Sequence, residues 1–236
     1  EQNIKEESVN YPTYYFGDPN PLPAFIFNPK IYPYHKFQGY EFEKADKDLK
    51  VVTLENEWIE VQVFPEVGGK VWSAVDKSNG NEFIYKNEVA KFRNIAMRGP
   101  WTSGGIEFNF GVIGHHPGTG TPADYRLDEL TDGSVMCTVG GIDLPSRTQW
   151  RVKIVLPKDQ SAFTTEAVWY NPTEIEQAYY NWMTAAAAAQ QDLVLYTPGD
   201  QYLTHGGMAK SWPIDPLNRD LSQYKENNFG PSKSYH

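Results

Sequence analysis

Trp150, Val152, Ile154 and Leu156 alternate with Gln149, Arg151 and Lys153, and this period of two is the strongest constraint on the fold of the chain. Successive side chains of a strand point to opposite faces, so strict alternation predicts a strand with one face buried. Ile59, Val61 and Val63 alternate in the same way with Glu60 and Gln62, the pattern resumes from Val71 to Val75, and it returns at 134–139 and 161–170. The runs are separated by turn chemistry. Pro65-Glu66-Val67-Gly68-Gly69 breaks one run, Ser78-Asn79-Gly80 offers a hairpin, and Asn171-Pro172 closes another. Many short strands punctuated in this manner predict an all-β sandwich or barrel.

A chain of 236 residues has room for one large or two small domains, and on folding it can remove roughly 70% of its surface from water. Residues 1–48 are rich in Pro and Tyr, which predicts an extended N-terminal segment packed on a β-rich body over 49–236. With 21 Lys and Arg against 30 Asp and Glu, the net charge of −9 argues against a nucleic-acid partner. No apolar run approaches the ~20 residues of a membrane-spanning helix. Cys137 is the lone cysteine, which excludes an internal disulfide framework and a multi-cysteine zinc site. Its setting between Val135 and Val139 predicts an inert core thiol. The start at Glu1 suggests a processed or trimmed chain, and a single cysteine is permissive for export.

Two segments depart from the pattern. Thr184 and the five alanines at 185–189 have high helix propensity, whereas Tyr180-Asn181-Trp182-Met183 just before them favours a strand, so propensity leaves this stretch open. The run from Arg98 to Tyr125 reads as a long glycine-rich connection, and connections of that length inside a compact domain are usually functional or disordered. Its Trp101, Phe108, Phe110, His115 and His116 argue for order, which makes this run the first place to look for a site.

Three stretches carry a family resemblance. They are Leu54-Glu55-Asn56 through Phe64-Pro65-Glu66-Val67-Gly68-Gly69-Lys70-Val71, then Gly99-Pro100-Trp101 to Phe110 with His115, and Tyr180-Asn181-Trp182-Met183 followed by His205 and Ser211-Trp212-Pro213. From about Tyr11 onward the chain resembles a bacterial domain-of-unknown-function family of the galactose-mutarotase-like superfamily, common in Bacteroidetes and often found ahead of tetratricopeptide repeats. The resemblance implies a β-supersandwich of twisted antiparallel sheets with a saccharide groove on its concave side, and it favours a strand for the alanine-rich segment. It also implies that the family module continues beyond His236, so the chain is read as C-terminally truncated, with a repeat domain following in the full-length protein. The superfamily commonly has a catalytic His near the middle of the fold. The matching strand here carries Asn181-Trp182-Met183 instead, with His205 as a substitute.

Against that background Glu107, His115 and His205 are the candidate catalytic groups, as carboxylate and imidazole acid/base partners. Glu107 also has a structural reading, as an acceptor for the turn at Gly104-Gly105. Adjacent His115 and His116 cannot both serve one site on an extended chain. Trp101, Trp182 and Tyr125 offer apolar faces for pyranose stacking, Asp124 offers a polar contact, and Arg98 and Arg147 are the cations suited to a uronate or sulfate. No ligand spacing supports a metal site, and no nucleotide fingerprint or phosphate loop calls for a cofactor. The reading is therefore a secreted or periplasmic carbohydrate-binding or carbohydrate-active protein, as a processed lipoprotein or free, with epimerase-like acid/base chemistry if it is an enzyme. The alternatives are a glycoside hydrolase with paired carboxylates and a non-catalytic interaction scaffold.

Overall fold

The structure, a computed structural model, describes residues 3–23, 29–178, 180–204 and 206–227. The chain divides into two compact units, Glu1–Ala187 and Ala188–His236.

In the first unit β1 (Asn3–Tyr14), β2 (Pro19–Pro23) and β3 (His35–Phe37) precede the long strands β4 (Ala45–Glu55), β5 (Ile59–Phe64) and β6 (Lys70–Asp76). The short β7 (Asn81–Ile84) folds back on β6 through the turn that Ser78-Asn79-Gly80 announces, with Gly80 at φ +73°. Three two-residue strands, β8 (Ala90–Lys91), β9 (Arg93–Asn94) and β10 (Pro100–Trp101), lead into β11 (Ile106–Gly111). After a 3-10 turn at Pro117–Gly120 come β12 (Asp124–Glu129), β13 (Val135–Ile142), β14 (Gln149–Leu156), β15 (Thr164–Tyr170) and β16 (Tyr180–Ala185).

These strands form a large sheet ordered β16-β11-β6-β5-β4-β1-β8, with β7 sharing the outer edge of β6, and a four-stranded sheet ordered β12-β13-β14-β15. Pairing is antiparallel except for β1 with β8. The fold is thus the all-β antiparallel class that the alternation predicts. One core lies between the sheets: Val52, Leu54, Val61, Val63, Val71, Phe108 and Phe110 face Val135, Cys137, Val139, Trp150, Val152, Ile154 and Leu156. Cys137 is fully buried there, and burial pushes its thiol up to about 12.

The large sheet is buried on its second face as well. Leu49, Val51, Phe64, Val67, Trp72, Ala90 and Phe92 form another core, packed by Val9, Tyr11, Tyr15 and Phe16 of the N-terminal segment. Phe64 stacks on Trp72 at 4.6 Å, and Tyr11 meets both rings edge-on at 5.7 Å. The Tyr11 hydroxyl accepts from the Trp72 indole at 3.0 Å and donates to the Asn87 carbonyl at 2.7 Å. Covering both faces explains why β6 reads as a nearly continuous buried run while β5 keeps its alternation.

The run from Arg98 to Tyr125 corrects the expectation of a structure-poor connection, because it contains β11, which joins the large sheet between β16 and β6. Ile106, Phe108 and Phe110 alternate with Glu107 and Asn109, but the flanking glycines mask the strand. Gly105, at φ +69°, has no room for a Cβ beneath the Val71 carbonyl, so only glycine lets β11 approach β6 so closely. In the alanine-rich stretch β16 ends at Ala185. Ala186 still exchanges backbone hydrogen bonds with Gly105 and Tyr85, and 187–190 are irregular. Sheet pairing overrides helix propensity at the start of this run.

In the second unit β17 (Gln201–Leu203) and β18 (Ala209–Ser211) form a hairpin. Trp212 is buried and meets Tyr202 edge-on at 6.1 Å. Among the described residues no helix is long and apolar enough to cross a membrane.

Candidate functional site

Because Phe108 and Phe110 face the inter-sheet core, the strand period turns Glu107 and Asn109 to the second face of the large sheet. The register with β16 sets Glu107 opposite Thr184 and Asn109 opposite Trp182 on that face. On the same side Lys70 is paired with Phe64 at the start of β6.

Glu107 is 4% exposed and fully engaged. Its Oε1 accepts from Asn109 Nδ2 at 2.6 Å and from His115 Nδ1 at 3.0 Å, and its Oε2 accepts from the Trp101 indole N–H. Burial works to raise this carboxyl. The hydrogen bonds from His115 and Asn109 and the charge of Lys70 outweigh it and hold the group below the ordinary carboxylate range. The turn at Gly104-Gly105 donates nothing to it, so the structural reading of Glu107 as an acceptor for that turn is replaced by side-chain partners.

Lys70 is 2% exposed. Its ammonium donates to the Thr102 carbonyl at 3.0 Å and the Thr102 hydroxyl at 3.2 Å, and lies 5.7 Å from the Trp72 ring centroid. Desolvation pulls its pKa down to about 8 against the opposing pull of Glu107. Lys70, Thr102 and Asn109 are not among the candidates that the sequence singles out. Lys70 is nonetheless visible within the Gly68-Gly69-Lys70 motif, and Asn109 in the polar alternation of β11.

His115 sits at φ +49°, a left-handed conformation that His adopts more readily than most residues. The ionised Glu107 can only accept, so Nδ1 of His115 carries the proton. Nε2 has no hydrogen-bond partner among the described residues. The ring is held edge-on between two indoles, with centroids 5.9 Å from Trp101 and 4.7 Å from Trp182, and about a quarter of the side chain is exposed. The result is an imidazole oriented through Nδ1 by a buried carboxylate.

His116 turns the other way and serves a different cluster. Its Nδ1 accepts from Gly118 N at 2.9 Å, while Nε2 lies 3.0 Å from both Asp143 Oδ1 and the Tyr34 hydroxyl. Burial works to raise Asp143, but hydrogen bonds from His116 and Ser146 hold it below the ordinary range. This cluster is 5% exposed at His116 and 1% at Asp143, and it braces the loop that carries His115.

The remaining candidates disperse. Arg98 lies beside the Glu107 cluster, its Nη1 donating to the Gly114 carbonyl. Arg147 is exposed in the β13–β14 turn at φ +58°, outside the cluster. Tyr125 packs against the inter-sheet core and donates its hydroxyl to Glu6 at 2.7 Å. Asp124 and Tyr125 border a different feature, an open groove of about 690 Å³ beside β12–β15, lined also by Arg126, Thr138, Gln149 and Arg151. His205 lies outside the described residues. No group of three or more His, Cys, Asp or Glu side chains converges as a metal cage among the described residues.

Residues 27–236 match the family described as Domain of unknown function (DUF5107), and the chain belongs to that family. The fold is similar to that of a TPR-domain containing protein from Parabacteroides distasonis, with a TM-score of 0.77 and 27% sequence identity. The match covers 86% of this chain and 35% of the other, so the chain spans about a third of the length of that protein.

Proposed function

We propose that this DUF5107 chain binds a saccharide at the Glu107–His115 site and that His115 Nε2 is the acid/base group there. The observation that carries the reading is a buried, ionised carboxylate orienting a part-exposed imidazole between two indole rings. An imidazole so held can take a proton from an anomeric hydroxyl through Nε2. Glu107 stabilises the resulting imidazolium, which gives the proton to the ring oxygen as the C1–O5 bond opens to the aldehyde, and the reverse transfer closes the ring on either face. Trp101 and Trp182 supply apolar surface against which a pyranose ring can lie. This chemistry is that of the galactose-mutarotase-like superfamily that the sequence resembles, and the superfamily analogy supports it as analogy.

The paired-carboxylate alternative asks for a second acid facing Glu107. The groups bonded to Glu107 are an indole, an amide and an imidazole, and the imidazole supplies the acid/base reading with a partner in direct contact. Likeness to a TPR-domain containing protein supports a repeat module as a partner of this domain in the natural protein. A saccharide-handling role supports a secreted or periplasmic setting.

The test is a glycan-array and thermal-shift screen of the full-length protein beside Glu107→Gln and His115→Gln. The reading expects a sugar-dependent rise in melting temperature that both variants diminish. Absence of any shift across plant and host glycans, or undiminished binding by both variants, refutes it.

A further inference from the structure

Arg98 ends a tight turn in which Arg98 N donates to the Ile95 carbonyl at 2.8 Å and Ala96 and Met97 adopt φ of +47° and +58°. That turn carries the guanidinium to the loop after β11, where Nη1 donates to the carbonyl of Gly114, the residue before His115. Gly114 is itself pressed against β16, since a Cβ there would stand 2.6 Å from the Tyr180 hydroxyl. Tyr180 and Trp182 project from the same side of β16, and Trp182 packs on His115. Arg98, Tyr180, Trp182 and His115 are therefore neighbours on one side of the large sheet.

The charges at this place do not balance within the chain. Lys70 and Glu107 answer one another. Arg98 has no carboxylate within ion-pair distance among the described residues, and its Nε is buried without a hydrogen-bond partner. In a chain of net charge −9, leaving a half-buried guanidinium unanswered is costly unless something else supplies the anion. A guanidinium presents a planar fork that matches a carboxylate with two parallel hydrogen bonds.

We infer that Arg98 is an anion subsite of the Glu107–His115 site and that the saccharide bound there is a hexuronate. The inference rests on the saccharide reading above and deepens it. A hexuronate carries its carboxylate on C5, and C5 and the anomeric carbon flank the same ring oxygen. One ring can thus present its acid to Arg98 and its anomeric hydroxyl to His115, two groups brought together by the Arg98–Gly114 hydrogen bond.

The experiment compares D-galacturonate with D-galactose, and D-glucuronate with D-glucose, by calorimetric titration of the full-length protein. Galactose 6-sulfate serves as a second anion. The uronates are expected to bind more tightly than their neutral counterparts. Arg98→Gln is expected to weaken uronate binding roughly 10- to 100-fold, as for loss of a charged hydrogen-bond partner, and to erase the preference for uronates over their neutral counterparts. Arg98→Lys keeps the charge without the fork and recovers part of the loss. Should Arg98→Gln fail to fold, salt dependence of the unmodified protein decides: added salt weakens uronate binding and spares neutral sugars. Equal binding of acidic and neutral sugars, or preference for the sulfate over galacturonate, overturns the hexuronate assignment and leaves the saccharide reading standing. Binding of none of these sugars, together with a blank glycan screen, removes both.

Discussion

His115 and His116 are consecutive in the chain, yet they meet different carboxylates through different ring nitrogens: Nδ1 of His115 lies 3.0 Å from Glu107, and Nε2 of His116 lies 3.0 Å from Asp143. The left-handed backbone at His115 produces the reversal, turning one ring over β11 and the other beneath the loop. Since the two carboxylates can only accept and Gly118 N occupies Nδ1 of His116, the protons facing them sit on Nδ1 of His115 and Nε2 of His116. Long-range proton–nitrogen NMR spectra are expected to show the Nδ1–H tautomer for His115 and the Nε2–H tautomer for His116. In Glu107→Gln the preference at His115 weakens while that at His116 persists. A shared tautomer in the unmodified protein contradicts the hydrogen-bond assignment.

Acid stability follows from the same two carboxyl groups. Both are lowered in the folded chain from ordinary values of 4.5 and 3.8, so the unfolded chain binds the extra protons. The stability they contribute is fully present above their unfolded values and is lost as pH falls through the folded ones. Urea unfolding across the range from pH ~6 to ~3 is expected to show declining stability, and Glu107→Gln with Asp143→Asn flattens that decline. An equal slope in the doubly substituted protein counts against these two groups as its source.

Lys70 gives a dependence of the same sign at higher pH. Its value drops from 10.5 to about 8 on burial, so between those limits the unfolded chain binds more protons and unfolding becomes harder as pH rises. Lys70→Met is expected to abolish this alkaline gain. It also strips Glu107 of a compensating cation, so the Glu107 carboxyl moves upward. Chemical denaturation of both proteins across that window checks the first point, and carboxyl NMR titration checks the second.

Two glycines with nearly the same backbone angle separate strain from crowding. Gly68 and Gly80 stand at φ +67° and +73°, but a Cβ on Gly68 would run into the Thr119 carbonyl, whereas nothing lies within 4 Å of Gly80. Gly80→Ala is expected to cost about 1–2 kcal/mol from backbone strain alone. Gly68→Ala adds overpacking against the 117–120 turn, for a total of about 2–5 kcal/mol. Equilibrium unfolding measures both, and comparable losses would show that the contact with Thr119 is not rigid.

Alternation alone was enough to read the all-β class, the strand at 149–156, the hairpin after Asp76 and the burial of Cys137, because side-chain period and turn chemistry are local properties of neighbouring residues. The loop composition after Arg98 likewise marked Glu107, His115 and Trp101 as residues of one region. Sequence could not say that Lys70, Glu107 and Trp182 share one face. That depends on β6, β11 and β16 being neighbours in the sheet, and on a register in which a slip of one residue would send Glu107 into the apolar core. Nor could it separate Arg98 from Arg147, two arginines in glycine- or turn-rich settings, of which only the first folds against the loop that holds His115. Secondary structure is written in the short-range pattern of the chain. The convergence of charges at the site arises from long-range pairing and from a left-handed residue, and only tertiary structure decides those.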